Sequence, residues 1–237
     1  MKIITWNCQG AFRKKADFLL PQRPDILVVQ ECEHPDKLLF SSTTQKPTDF
    51  YWHGDSTYKG IGVFSYSGFK FELLDIFNPE FRYILPLRVT RQGQTFTLFA
   101  IWAMNNKENR KARYIGQIWL AANYYADLLN SSTILIGDFN SNKIWDFKDR
   151  VSNHTDVVNK LAEKNIFSVY HKHFKQEQGK ESQPTFFLHH NKNKPYHIDY
   201  CFASDDFIKR ISDVKVGKHM DWCKHSDHTP LIVTFND

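Results

Sequence analysis

The chain has 237 residues, 41% of them hydrophobic and 24% charged, a composition ordinary for a globular protein and ample for a large core. No apolar run reaches the length of a membrane span, and the opening residues lack the apolar core of a signal peptide. A formal charge of +5, to which 11 histidines add below neutral pH, favours an anionic partner without choosing between nucleic acid, a phospholipid surface and a small phosphoester.

In chain order, "KIITW" has the β-branched character of a strand, and "RKKADFLL" reads as a short helix ended by Pro21. "DILVVQE" is a buried strand closing on an acid, and the stretch from Pro35 to Lys59 is irregular and aromatic. Strands resume at "GIGVFSYS", "RYILPLRVT" and "QTFTLFAIW", the last two separated by the turn signal "RQGQ". From Tyr114 to Leu129 the period becomes helical: Ile115, Trp119, Ala122, Ala126 and Leu129 form one apolar stripe. "STILIGD" is a strand, "TDVVNKLAEKN" a helix with Thr155 as its N-cap, "IFSVYHK" a strand, and "YHIDYCFAS" and "PLIVTF" the closing strands. Strands at both ends, with helices between strands in each half, predict a single α/β domain over residues 1–237.

Cys8, Cys32, Cys201 and Cys223 are far apart and form no C-x-x-C pair. Most sit in or beside apolar stretches, so free buried thiols and a reducing, cytoplasmic setting are expected.

Polar residues recur where strands stop. Asn7 follows the first strand, Glu31 follows "ILVVQ", Asp138 follows "TILIG" with Asn140 two places on, Asp199 sits in "YHIDYCF", and Asp227 and His228 precede the last strand. Each alone has an ordinary explanation: a strand end, a solvated edge, an Asx turn, a satisfied histidine. Asp199, flanked by apolar residues, is costly to bury unless paired or on a metal. Together they make a coherent set of hard oxygen donors with one imidazole, suited to Mg²⁺ or Mn²⁺. Zinc spacing, a phosphate-cradling G-x-x-x-x-G-K-[ST] loop and a G-x-S-x-G elbow are all missing, and nothing around Ser226 would activate it as a nucleophile.

"WNCQG", "VVQECE", "LIGDFNS", "HIDYCFAS" and "SDHTPLIV" occur in the order seen in the endonuclease/exonuclease/phosphatase superfamily, the fold of DNase I and of exonuclease III-like apurinic endonucleases. The resemblance runs from residue 3 to residue 235. It implies a four-layer α/β sandwich of two mixed β-sheets face to face with helices outside, and metal-assisted hydrolysis of a phosphoester with no covalent intermediate. Residue by residue, Asn7 and Glu31 resemble the metal-binding amide and carboxylate, and Asp138 the aspartate that orients or deprotonates water. Asn140 resembles the neighbour that contacts phosphate, and Asp199 the acid that orients the site. Asp227 resembles the acid that holds the imidazole or meets the metal, and His228 the donor to a phosphoryl oxygen.

Two departures stand out. Where apurinic endonucleases carry a tyrosine and DNase I a histidine, this chain reads "WAMNNKENRKARY", offering Trp102, Met104 and Asn105, while Tyr114 falls too far along. The aromatic stretch before the I-D segment reads "TFFLHH", so that Phe186 and Phe187 stand either against a base or sugar or in the core. Basic clusters at residues 13–15, 107–113 and 192–194, including Lys107, Arg110 and Lys192, suit a phosphate backbone. The expected function is a Mg²⁺- or Mn²⁺-dependent nuclease, monomeric, with DNA favoured over RNA. A phosphatase or phosphodiesterase on a small or lipid phosphoester, and an RNase of the same fold, are the alternatives.

Overall fold

A computed structural model describes residues 1–38 and 44–236. The first half holds β1 (Lys2–Asn7), β2 (Ile26–Cys32), β3 (Asp49–Ser56), β4 (Lys59–Ser65), β5 (Lys70–Leu73), β6 (Ile84–Arg91) and β7 (Gln94–Trp102). The second half adds β8 (Thr133–Asp138), β9 (Ile166–Ser168), β10 (Phe186–Phe187), β11 (Pro195–Tyr196), β12 (Asp199–Ser204), β13 (Ile211–Val216) and β14 (Leu231–Phe235). The α-helices are α1 (Ala16–Leu19), α2 (Ile115–Tyr124), α3 (His154–Glu163), α4 (Val169–Phe174), α5 (Asp205–Ile208) and α6 (His219–Trp222).

The strands build two six-stranded sheets, in the orders β13-β14-β1-β2-β4-β3 and β5-β6-β7-β8-β12-β9, with β10 and β11 paired apart. Both sheets are mixed, since β1–β2 and β7–β8 run parallel among antiparallel neighbours. Ile3, Val28 and Val63 of the first sheet share one buried cluster with Leu87, Leu98, Ile136 and Cys201 of the second, so the sheets pack face to face. Ile4, Trp6, Leu27 and Val29 bury the opposite face of the first sheet under Phe12, Leu19 and Trp222. Phe99, Ile101 and Leu135 do the same for the second sheet beneath α2 and α3. The expected four layers, two mixed sheets with helical segments outside, are therefore present.

Side-chain alternation explains where polar groups go. In β8, Ile134 and Ile136 point between the sheets, and in β12 Cys201 and Ala203 do so. Asp138 and Asp199 have the same parity, so each continues that inter-sheet face to its rim. Asn7 has the parity of Ile3 and reaches the same space from β1. Glu31 does not follow the rule. Its neighbours Leu27 and Val29 face outward, and so would Glu31, but the pairing with β4 slips between Gln30 and Cys32 and Glu31 takes a positive φ of 60°. The bulge absorbs one residue, returns Cys32 to the outer face and turns the Glu31 carboxylate toward Asn7.

Several local expectations change. The stretch from Pro35 to Lys59 contains β3, an edge strand whose partly exposed face hid its alternation; residues 39–43 of it lie outside the described residues. "IFSVYHK" is a strand only to Ser168 and continues as α4. The N-cap of α3 is Asn153, in a capping box with Asp156, while Thr155 lies inside the helix and bonds Asp146. Tyr114 precedes α2 with a positive φ, and α2 ends at Tyr124. β5 and β13 carry too few buried residues for sequence periodicity to reveal them. Cys8, Cys32 and Cys201 are buried and free, as expected, and Cys223 is buried and free as well.

Gly137 sets the approach of β8 to β7. It has φ 145°, and a Cβ there would stand 1.9 Å from the Ile101 carbonyl oxygen. Gly137→Ala should cost about 3 kcal/mol or more, from strain plus overpacking. Chemical denaturation checks this, and because the residue abuts Asp138, activity should fall even where the variant remains folded.

Candidate active site

Asp138 and Asp199 are ladder partners across β8 and β12, both essentially without solvent access. Their carboxylates are held by different means. Asp138 accepts the Asn140 amide N–H at 2.8 Å on one oxygen; the other accepts the side-chain amides of Asn7 and Asn140, each at 3.0 Å. Asp199 is fixed through its backbone, since Thr185 Oγ1 accepts both the Ile198 and the Asp199 N–H groups at 3.0 Å.

His228 joins the two acids. Its Nδ1 donates to Asp199 Oδ2 at 2.9 Å and its Nε2 lies 4.0 Å from Asp138 Oδ2. The backbone around it is secured by Trp6 Nε1–H, which donates to the His228 carbonyl at 3.0 Å. Ser226 Oγ accepts the His228 N–H and donates to the Asn7 carbonyl, a buried structural role that leaves it unavailable as a nucleophile. Burial alone would depress the imidazole, but the charges of Asp199, Asp138 and Asp227 overcome it and raise its pKa to about 9. Burial, reinforced by the charge of Asp199, pushes Asp138 the other way from an ordinary carboxyl, up to about 7, against the opposing pull of His228.

Glu31 and Asn7 stand beside this group. Asn7 Nδ2 is 3.4 Å from Glu31 Oε1, and Lys59 Nζ, which sequence inspection gave no reason to select, pairs with Glu31 Oε2 at 2.9 Å. Ligating atoms of Asp138, Asp199 and His228 lie within 4.8 Å of one another, close enough for one divalent ion. Asp199 Oδ1 is buried with no hydrogen-bond partner, as a position awaiting a cation would be. A protonated His228 is no ligand, so the donors left are the oxygens of this cluster with those of Glu31 and Asn7 beside it, a set that fits a hard divalent cation.

The remaining sequence candidates separate. The carboxylate holding the imidazole is that of Asp199, not Asp227, whose half-buried side chain has no hydrogen bond or ion pair among the described residues. Chain neighbours at a loop point apart, so adjacency in "SDH" did not mean contact. Asn140 spends its side-chain N–H groups on Asp138 and the Ala103 carbonyl, so it buttresses Asp138 and does not aim that amide at phosphate. Phe186 lies against the His228 ring, with centroids 4.7 Å apart. Phe187 is buried against His219 and belongs to the core. Asn105 and Lys107 line a cleft of about 570 Å³ with Arg82 and Glu80, whereas Arg110 is exposed outside it and Lys192 lies on the exposed turn between β10 and β11. Tyr114 is nearer the site than its chain position suggests: its N–H bonds the Met104 carbonyl, and it shares a cleft with Asn140.

A face-to-face α/β sandwich with a carboxylate–imidazole cluster at the carboxyl ends of its parallel strands, able to hold a divalent metal, defines a metal-dependent phosphoesterase. The chain belongs to the endonuclease/exonuclease/phosphatase family, which it matches over residues 4–228. No curated protein matches it. Among solved structures it is similar to the 3′ phosphatase NExo from Neisseria bound to a product DNA hairpin, at 20% identity and a TM-score of 0.71 over 100% of both chains. It is similar also to an AP endonuclease from Archaeoglobus fulgidus, at 19% identity and 0.68, again over 100% of both chains. A third likeness is to TDP2 of D. rerio complexed with a single-strand DNA product, at 19% identity and 0.65, over 100% of this chain and 99% of the other. Among the described residues no helix is long and apolar enough to cross a membrane.

Two outcomes follow for the metal-free protein. His228 and Asp138 both hold protons in the folded state that the unfolded chain has shed, so their contribution to stability declines as pH rises from about 4 through about 9. Asp199→Asn should drop the His228 pKa from about 9 toward the ordinary value of about 6.5, read by NMR titration of the imidazole in chelator. Separately, Lys59→Met frees Glu31 from a half-exposed ion pair, so calorimetric titration should show divalent-metal affinity rising about two- to fivefold.

Proposed function

We propose that this protein is a Mg²⁺- or Mn²⁺-dependent nuclease, a single catalytic domain cutting phosphodiesters in DNA in a reducing cytoplasmic setting. The observation that carries the reading is the linked set Asn7–Asp138–Asp199–His228, fixed at one rim between the sheets. Solved structures of similar fold with a DNA hairpin and with single-strand DNA support nucleic acid as the substrate, as do the net charge of +5 and the basic clusters of the sequence.

In this reading Glu31, Asn7 and the unpaired Asp199 oxygen would hold the metal, with Asp227, whose charge is felt at His228, as a further acid at the site. When bound, the cation offsets the charge of the phosphoester and of the oxygens that gain charge in the transition state. Asp138, raised toward neutrality and aligned by Asn7 and Asn140, takes a proton from the attacking water. The water oxygen bonds to phosphorus as the ester P–O bond breaks, and the departing alkoxide takes a proton from solvent to leave as the alcohol. His228 keeps its Nδ1–H on Asp199 and offers Nε2–H to a phosphoryl oxygen, a donor whose worth grows as that oxygen becomes more negative. Through its other oxygen Asp199 positions His228.

His228→Ala should lower kcat at least about a hundredfold with a much smaller change in KM, the scale of one lost transition-state donor. Asp138→Asn should nearly abolish turnover and leave substrate binding in place, and Glu31→Gln should weaken metal affinity about tenfold. Single-turnover kinetics, melting curves and calorimetry measure these in turn. The deciding panel sets abasic duplex, nicked duplex, single strands, RNA and soluble phosphomonoesters against the protein with Mg²⁺ or Mn²⁺. Full activity in EDTA would end the metal mechanism, and hydrolysis of small phosphoesters alone would replace the nuclease reading with a phosphatase.

A further inference from the structure

Beyond Asn140 the chain enters a loop that displays large apolar side chains to solvent. Trp145 is 42% exposed and Phe147 66%, and Tyr114, approaching from the start of α2, is 40% exposed. Together with Asn140, Ser141 and Arg150 they line a cleft of about 300 Å³. Aromatic surface of this extent is unfavourable in water unless something covers it.

The exposure does not come from a loose loop. Asn142 donates to Glu181, to the His197 carbonyl and to the Tyr200 hydroxyl, at 3.1, 2.9 and 3.1 Å, and so anchors the loop just after the catalytic segment. Asp146 accepts the His154 and Thr155 N–H groups at the start of α3. The Asn153 side chain bonds the backbone of Phe147 on both its polar groups and also the Arg150 carbonyl. Trp145 is braced by Tyr196, with ring centroids 5.0 Å apart. A loop held this firmly, with its rings left open, loses little entropy when a flat partner stacks on it.

We propose that Trp145, Phe147 and Tyr114 form a stacking subsite for an unpaired nucleobase of the strand whose phosphodiester occupies the active site. The proposal rests on the nucleic-acid reading above. Base chemistry is favoured over a protein partner because the rings line a concave cleft that is continuous with Asn140. Arg150 and Asp146 both line the cleft, and Asp146 is turned to the N–H groups at the start of α3; Lys143 and Lys148 flank the rings against the exposed Asp149, so the loop keeps a net charge of about +1 and a phosphate chain can pass beside the stacked base. The site therefore takes single-stranded or frayed ends in preference to closed duplex.

The test compares two labelled duplexes in chelator, one with a tail of ordinary nucleotides and one with a tail of baseless residues carrying the same phosphates. Fluorescence anisotropy should show the parent protein preferring the base-bearing tail about five- to a hundredfold. Trp145→Ala and Phe147→Ala should each reduce that preference, with affinity for the baseless tail nearly retained. Phe147→Ala serves as the variant least able to disturb folding, since most of that side chain is already in water. Equal parent affinity for the two tails, or variants that keep the full preference, would overturn the stacking subsite and leave the nuclease reading standing. A parent protein that binds neither tail while hydrolysing small phosphoesters would bring down both.

Discussion

Two carboxylates placed opposite each other on adjacent strands, Asp138 and Asp199, are the constraint around which this molecule is arranged. Like charges in a water-poor space repel, and each loses hydration worth several kcal/mol. Compensation comes from three directions. The imidazolium of His228 binds one acid and faces the other, the amides of Asn7 and Asn140 converge on Asp138, and an uncompensated oxygen of Asp199 remains for a cation. No single strand supplies these partners, so both sheets must pack in one register for the acids to be tolerated at all. Glu31, Gly137 and Asn140 at this place also take positive φ, a conformation that surrounding structure must hold.

What the sequence made legible follows from that geometry. Asn7, Asp138 and Asp199 share the parity of buried neighbours in their own strands, so a period of two carries each of them to the inter-sheet rim. Glu31 breaks the period. Its place in the site depends on a bulge, which follows from pairing with β4 and has no local spelling in "VVQECE". Which acid holds His228 is illegible locally for a related reason: of the two uses the resemblance offers for Asp227, holding the imidazole falls instead to Asp199, which arrives from β12, 29 residues away. Lys59 was hidden likewise, being an exposed lysine at a strand start until β4 lies beside β2. Elements went unseen where burial was partial, as in β3, β5 and β13, because alternation is informative only when one face is truly core.

Reaction chemistry and substrate choice are thus written differently in this chain. A buried carboxylate needs a fixed place in a sheet, and that need leaves a short, ordered motif such as "GDFN" or "HIDY". Loops that meet substrate need only suitable groups in reach, so the Asn105–Lys107 cleft and the Trp145–Phe147 loop have no diagnostic spacing. That asymmetry explains why the motifs identify a phosphoesterase and say little about which phosphoester it cuts.

The two kinds of information nevertheless meet at Asn142, two residues past Asn140. Its amide ties the aromatic loop to the strand end that also carries Asp199, through the Tyr200 hydroxyl and the His197 carbonyl. Behind it, burial would raise the Glu181 carboxyl, but hydrogen bonds from His171, Gly179 and Asn142 hold it down at about 2, a charge locked in place. Burial keeps His197 neutral, with its pKa lowered to about 4, so it contributes packing against Tyr170 and Tyr200 and no competing charge. A loop fastened beside Asp199 is coupled to the strand that holds His228 in place. The rings of Trp145 and Phe147 are therefore carried at a position set by the same strand that sets Asp199, so loop and carboxylate are placed by one sheet.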